Sequence, residues 1–223
     1  MRCLVALALV LVACGKSDPP AAAVSGSGEA GNAAKADGPE VATDDQSRFD
    51  QERQPEILMR ALGLKPGMTV ADVGAGTGLL TVHIARAVFP GGHVVATDIN
   101  PSVLEYLGAR MEAAGFDTVV EPRVVQPAEP GLEADHYDLI LLSQVDHYFD
   151  DRVAWLTKAA PALKATGRLA INNRMQHRAA AMAAASSVGF QLVTEVNDLP
   201  GQFVAIFQRG PAPGHAPTPK GTP

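Results

Sequence analysis

The sequence predicts an α/β fold: a doubly wound, mostly parallel sheet of seven strands that ends in an antiparallel hairpin. Three observations carry this. Short β-branched runs alternate with amphipathic helical stretches from about residue 48 to residue 187, which is the pattern of a parallel sheet covered by helices on both faces. The first run, Val70-Ala71-Asp72-Val73, leads into glycines at alternate positions, Gly74, Gly76 and Gly78. The last two runs, 190–196 and 202–208, are joined by the short link Asp198-Leu199-Pro200-Gly201. That link makes an antiparallel pair, because a parallel one needs a longer crossover.

The elements follow in chain order. Arg48 to Leu64 reads as a leading helix, with Ile57, Leu58, Ala61 and Leu62 on its apolar face. Lys65-Pro66-Gly67 turns into a strand over 69–73. After the glycines, Leu80, Ile84 and Val88 share one helical face, and Pro90-Gly91-Gly92 stops that helix. His93 to Thr97 is a second strand, closing on Asp98. Asn100 and Pro101 are a matched N-cap and first residue for a helix that ends at Gly115. A third strand over 119–125 contains Pro122 and so belongs near a sheet edge. The apolar run 137–142 is a fourth strand, and 152–163 a helix capped by Asp150 or Asp151, with Trp155 in the core. A fifth strand over 168–171 and an Ala-rich helix over 176–187 precede the hairpin.

Composition limits the function classes. The 223 residues suffice for one ordinary domain, and 47% are apolar. A net charge of −6 without a long basic run gives nucleic-acid binding no support. Cys3 and Cys14 both fall in the first fourteen residues, so the folded part has neither a disulfide nor a thiol nucleophile. There is no G-x-S-x-G elbow and no C-x-x-C or H-E-x-x-H metal pattern. Residues 1–14 read as a leader: Arg2, then an apolar run Leu4 to Val12 too short to span a bilayer. Leu11-Val12-Ala13-Cys14 resembles a bacterial lipobox. The resemblance implies lipidation at Cys14 and anchoring to the cell envelope at its periplasmic face. Residues 15–46 read as a flexible tether, 47–209 as the domain, and 210–223 as a Pro-rich tail. No segment signals an oligomer.

The glycine loop carries the chemistry. Glycine lets the backbone turn sharply and approach a ligand, and the helix start offers free N–H groups. The dinucleotide fingerprint needs a third glycine where this chain has Leu79, which disfavours a nicotinamide-dependent oxidoreductase. The pattern is D-x-G-x-G-x-G instead, with Asp72 suited to a cationic ligand. Asp98, twenty residues after Gly78, stands where an acid accepts from ribose hydroxyls.

At this point the chain resembles the class I S-adenosylmethionine (SAM)-dependent methyltransferases, which have a Rossmann-like fold. The resemblance spans about 48–209. Within the class it is nearest to small bacterial methyltransferase-domain proteins, on three pieces: Gln54-Pro55 with Leu58 and Leu62, the loop 70–78, and the segment 146–152. It implies SAM as cofactor. Cofactor contacts are expected from Asp72, Gly74, Ala75, Gly76, Thr77, Gly78, Asp98, Ile99, Ala128, Glu129 and Ser143. Gln126 and Pro127 stand where relatives often carry an adenine-binding acid. The acceptor, a small molecule or a protein, should approach the side of Ser143 to His147. His147 is the candidate general base there, and Asp146 its neighbour.

The chain also departs from the resemblance. Ala165-Thr166-Gly167 replaces a Pro-Gly-Gly turn, Asn172-Asn173 replaces a strand-end acid, and 172–189 lacks a longer insert, which predicts a shallow acceptor site. Arg174, Gln176, His177 and Arg178 read as a solvated basic face rather than an anion site. The leader and the loop also pull apart, because SAM is made in the cytoplasm. The alternative reading is therefore a non-catalytic, lipid-anchored binding protein that keeps the fold.

Overall fold

The structure is a computed structural model that describes residues 43–210. The leader with Cys14, most of the segment read as a tether, and the Pro-rich tail after Gly210 lie outside the described residues.

The helix read as one piece over 48–64 is two. Helix α1 runs Thr43–Arg53 and α2 runs Pro55–Leu62. Gln54 between them is left-handed, with φ 46° and ψ 55°. Proline restricts the residue before it and has no N–H to continue a helix, so Gln54-Pro55 becomes a corner. Helix α1 also begins earlier than the domain boundary read at residue 47. Gln46 ties it to the rest: its amide nitrogen donates to the Leu79 carbonyl at 3.0 Å and to Asp50 at 2.8 Å.

The strands are β1 (Thr69–Val73), β2 (His93–Asp98), β3 (Val120–Val124), β4 (Tyr137–Ser143), β5 (Leu163–Arg174), β6 (Phe190–Val196) and β7 (Gln202–Arg209). They form one seven-stranded sheet in the order β3-β2-β1-β4-β5-β7-β6. The first five pair in parallel, and β7 inserts antiparallel between β5 and β6. Strand β3, with Pro122, is an edge strand as its sequence requires. Strand β5 is longer than the run 168–171. It extends back to Leu163, across a register shift opposite Tyr137 and Leu139.

Helices α3 (Thr81–Val88) and α4 (Pro101–Ala114) share one face of the sheet with α2. There Leu58, Leu62, Ile84, Val88, Leu107 and Met111 pack on Val70, Val94, Ala96 and Leu139. Helices α5 (Arg152–Ala159) and α6 (Arg178–Ser187) cover the other face, where Trp155, Leu156, Ala181 and Ala185 meet Ala71, Val95, Ile140 and Phe203. Strands buried on both faces need the continuous apolar runs that the sequence has. The cap of α4 is as read: Asn100 accepts from the Ser102 N–H at 3.0 Å, and Gly115 closes the helix at φ 73°. Asp151, not Asp150, caps α5, accepting from the Ala154 N–H at 2.9 Å. A 3-10 turn over Ala160–Ala162 replaces the last part of that expected helix.

Candidate functional site

The chain crosses from one side of β1 to the other between β3 and β4, so the carboxyl ends of β1 and β4 flank the topological switch point, with β2 beside β1. Ligands of open α/β sheets bind there. The glycine loop leaves β1 at that end, and its amides are already engaged. The N–H groups of Gly74 and Ala75 donate to the Thr97 carbonyl at 2.8 and 3.0 Å, and Gly76 N–H donates to Asp98 Oδ2 at 3.0 Å. Gly78 N–H donates to the Ala75 carbonyl at 3.1 Å. The loop is thus not the cradle of free N–H groups that its glycines suggest. A pyrophosphate would find few donors in it.

The glycines are required for two different reasons. Gly74 has φ 70°, and a Cβ there would stand 2.5 Å from the Val145 side chain. Gly78 has φ 81°, and a Cβ would meet Leu107 at 2.8 Å. A buried arginine fixes the loop from behind: Arg110 Nε donates to the Thr77 carbonyl at 2.9 Å, and its Nη1 donates to Gln46 at 3.3 Å.

Asp72 lies beneath the loop, 2% exposed, and accepts from the Thr81 hydroxyl at 2.8 Å. Burial pushes its pKa up to about 6; the Thr81 hydrogen bond opposes this and the charge of Asp98 adds to it. A nearby cation would relieve that desolvated carboxylate. Asp98 is at the surface of the site. Its Oδ1 accepts from the Asn100 N–H at 3.0 Å while Oδ2 holds Gly76. Each oxygen keeps further lone-pair capacity for hydroxyl donors.

A cavity of about 260 Å3 adjoins these groups, walled by Gly74, Asp98, Ile99, Gln126, Val145 and Trp155 among others. Ile99 is 58% exposed and presents a flat apolar edge. Phe149 stacks on Trp155 at 4.5 Å between ring centres. Thr97 Oγ1, also in this wall, is buried without a hydrogen-bond partner among the described residues. A buried hydroxyl without a partner is costly. An apolar slot with a carboxylate at its lip and an unpartnered hydroxyl in its wall fits a nucleoside with a cationic tail, so the residues present suit SAM.

The structure brings some expected residues to this cavity and leaves others outside. Gly74, Asp98 and Ile99 line it. Ala75, Gly76, Thr77 and Gly78 shape the loop beside it. Gln126 and Pro127 line it, whereas Ala128 and Glu129 do not. Lys158 holds those two, bonding the Ala128 carbonyl at 3.0 Å and Glu129 at 2.5 Å. Ser143 ends β4 and donates to Asn172 at 3.1 Å. Val145 falls in the segment Ser143 to His147 read as the acceptor side, whereas Phe149 and the brace Arg110 were not singled out and Trp155 was read only as core. The Arg110 contact to Thr77 is long-range and leaves no local mark in the sequence.

The acceptor side is built around Asn173. Its carbonyl oxygen accepts from the Arg174 N–H at 2.8 Å, which fixes the amide. Its nitrogen then donates to Asp146 at 2.6 Å and to His147 Nδ1 at 3.0 Å. With Nδ1 accepting, the neutral His147 ring carries its proton on Nε2. In this tautomer His147 offers an N–H at Nε2. Burial holds its pKa below the ordinary value, with His177 stacked at 4.4 Å adding to this and Asp146 opposing it. Asp146 is 2% exposed, and Arg152 pairs with it at 2.9 Å. It positions neighbours rather than facing a ligand. The basic run 174–178 divides: Arg178 makes a two-pronged pair with Glu195 at 2.7 and 2.6 Å, while Arg174 and His177 turn towards His147.

Comparison with known proteins agrees with this geometry. Residues 71–169 match a family described as "Methyltransferase domain". The Vibrio vulnificus (strain YJ016) ubiquinone/menaquinone biosynthesis C-methyltransferase UbiE is 32% identical over 109 residues, which are 49% of this chain and 42% of that protein. The chain thus spans about two-fifths of the length of that curated relative. Among solved structures, a SAM-dependent methyltransferase from Aquifex aeolicus superposes with a TM-score of 0.66 at 19% identity, over 75% of this chain and 98% of that one. The geranyl diphosphate C-methyltransferase of Streptomyces coelicolor A3(2), solved with S-adenosylhomocysteine, superposes at 0.62 and 15% identity, over 73% and 80%. At such identities these structures establish the fold alone. Residues 71–169, a little under half of the chain, are thus similar to a methyltransferase domain, for which SAM is the expected cofactor, and they lie in a Rossmann-like sheet.

Proposed function

We propose that the whole protein is a SAM-dependent methyltransferase whose acceptor reaches the site from the side of Ser143 to His147. One observation carries the reading: Asp98 bridges the glycine loop and the start of α4 at the lip of the 260 Å3 cavity. When bound, SAM supplies an electrophilic methyl group on a sulfonium. Asp98 would hold the ribose, Ile99 and Pro127 the base, and buried Asp72 would balance the positive charge at the amino-acid end. Gln144, Val145 and Tyr148 separate this cavity from the acceptor side. Their work is alignment and exclusion of water, which can account for much of the rate of a methyl transfer. His147 donates rather than abstracts a proton, so an acceptor that is nucleophilic without a strong base suits the site best.

The test is calorimetric titration with SAM, S-adenosylhomocysteine and NAD. SAM and its product should bind while NAD does not. Asp98→Ala should weaken SAM by tenfold or more, since hydrogen bonds to a charged group are each worth about 1.5–3 kcal/mol. Unchanged affinity in that variant removes Asp98 from the cofactor site.

The localisation proposal is separate: Cys14 is lipidated and holds the domain at the periplasmic face of the cell envelope. Support comes from Leu11-Val12-Ala13-Cys14 alone. Membrane association of the full chain, lost in Cys14→Ala, is the expected result; a soluble wild-type chain overturns it.

A further inference from the structure

A second cavity of about 240 Å3 borders the first, with Gln144 and Tyr148 in the walls of both. Its remaining lining is Arg53, His147, Arg174 and His177. Two guanidiniums and two imidazoles thus face one small space whose walls contain no carboxylate. This juxtaposition is invisible in the sequence, because Arg53 comes from the end of α1 and Arg174 from the end of β5.

Arg174 is exposed and Arg53 half-buried; the buried or partly buried arginines other than Arg53 have a fixed partner. Arg152 pairs with Asp146, Arg123 with Glu121 and Glu133, and Arg178 with Glu195. Arg110 donates to the Thr77 carbonyl. Neither the Arg53 nor the Arg174 guanidinium makes an ion pair or hydrogen bond among the described residues. Burial lowers the pKa of Arg53 and the charge of Arg174 lowers it further, with Glu52 acting the other way. His147 feels the same field: after burial, His177, Arg152 and Arg174 all disfavour its charge, against Asp146. Asp146 does not line the cavity, and its charge is already paired with Arg152 at 2.9 Å. Gln144 does not neutralise the cavity: its amide is committed to Gln202 at 2.9 Å.

We infer that this cavity binds an oxyanion carried by the methyl acceptor, so that the substrate class is small organic acids, carboxylates or phosphates. The planar guanidinium fork matches either group with two parallel hydrogen bonds. The Nε2–H left on His147 by Asn173 adds a donor of the right kind. An anion seated there would be separated from the cofactor cavity only by Gln144 and Tyr148, which suits an acceptor whose nucleophile lies a few atoms from its charged group. The inference rests on the methyltransferase reading for the word acceptor; the anion site itself does not.

The experiment uses the full chain, with and without saturating S-adenosylhomocysteine. Three probes of similar shape are titrated by calorimetry: benzoate, phenyl phosphate and neutral benzyl alcohol. The ring resonances of His147 and His177 are followed by NMR across pH. The expected result is saturable binding of at least one anion in the presence of S-adenosylhomocysteine, with no binding of benzyl alcohol. The His147 pKa should rise when the anion is bound. Affinity should fall tenfold or more in Arg53→Gln/Arg174→Gln, each lost bond being charge-assisted. Benzoate against phenyl phosphate decides between carboxylate and phosphate. Equal binding of benzyl alcohol, or anion binding indifferent to the double variant, overturns the inference. So does competition with S-adenosylhomocysteine, which would assign the cluster to the cofactor's own carboxylate. If SAM and its product fail to bind but the anion does, the methyltransferase reading falls and the anion site stands.

Discussion

Asp72 gives the pH dependence of stability a specific shape. Its carboxyl is fully enclosed, accepts from Thr81 alone among the described residues, and has a pKa raised by burial from 3.8 to about 6. The folded protein therefore holds this proton more tightly than the unfolded chain between those two values. Stability tied to Asp72 is fully present below 3.8 and is lost as pH rises towards and through 6. At about 1.4 kcal/mol per pH unit, the loss is on the order of 3 kcal/mol. Asp72→Asn removes the titration and keeps an acceptor for the Thr81 hydroxyl. The new amide N–H groups lack a partner, which costs about 1–3 kcal/mol at every pH. The offset between variant and wild type at any one pH combines both effects, and its change with pH reports the titration alone. Urea unfolding from pH 4 to pH 8 should show the variant gaining about 3 kcal/mol on the wild type, mostly between pH 4 and 6.5. Parallel curves over that range would refute the buried, uncompensated carboxylate. SAM should flatten the wild-type curve, since a cation beside Asp72 lowers its pKa again.

Other predictions follow from the backbone. Gly74→Ala must both adopt φ 70° and displace Val145, so it should cost about 2–4 kcal/mol. Gly76→Ala has φ 56° but open space within 4 Å of its Cβ, so it should cost about 1–2 kcal/mol. Urea midpoints at constant slope separate the two, and equal losses would remove the Val145 contact from the account. Gln54→Gly should stabilise by several tenths of a kcal/mol or more, since a left-handed corner before Pro55 suits glycine. A lower midpoint for that variant would mean the Gln54 side chain makes a contact worth more than the backbone relief.

The parts of this molecule that were readable from sequence are those written in short-range signals. The strand, glycine and helix succession at 69–88, the Asn100-Pro101 cap and the short hairpin link each depend on neighbours in the chain, and each stands where the residues put it. The corner at Gln54 was hidden because the apolar spacing of Ile57, Leu58 and Leu62 continues a helical pattern that Pro55 in fact restarts. The early half of β5 was hidden because Lys164 to Gly167 is polar and glycine-containing, yet the chain there extends beside β4 across a bulge. In the site, carboxylates at strand ends were legible through the known geometry of open sheets. What was illegible depends on distant partners: Lys158 drawing Glu129 away, Arg110 reaching Thr77, and Arg53 meeting Arg174.

The wiring of the glycine loop bears on how a ligand is received. With Gly74, Ala75, Gly76 and Gly78 all donating within the protein, the loop's conformational entropy has been surrendered during folding rather than at binding. Fixing a residue's backbone costs about 1–2 kcal/mol, so four pre-ordered peptides spare an incoming cofactor several kcal/mol of ordering. Association should then be a single fast step without a slow rearrangement, and product should leave by the same unhindered route. The same economy has a mechanical side. Because Arg110 and Gln46 brace the loop from α4 and α1, a pull on the N-terminal helix is passed directly to the loop through the Leu79 and Thr77 carbonyls.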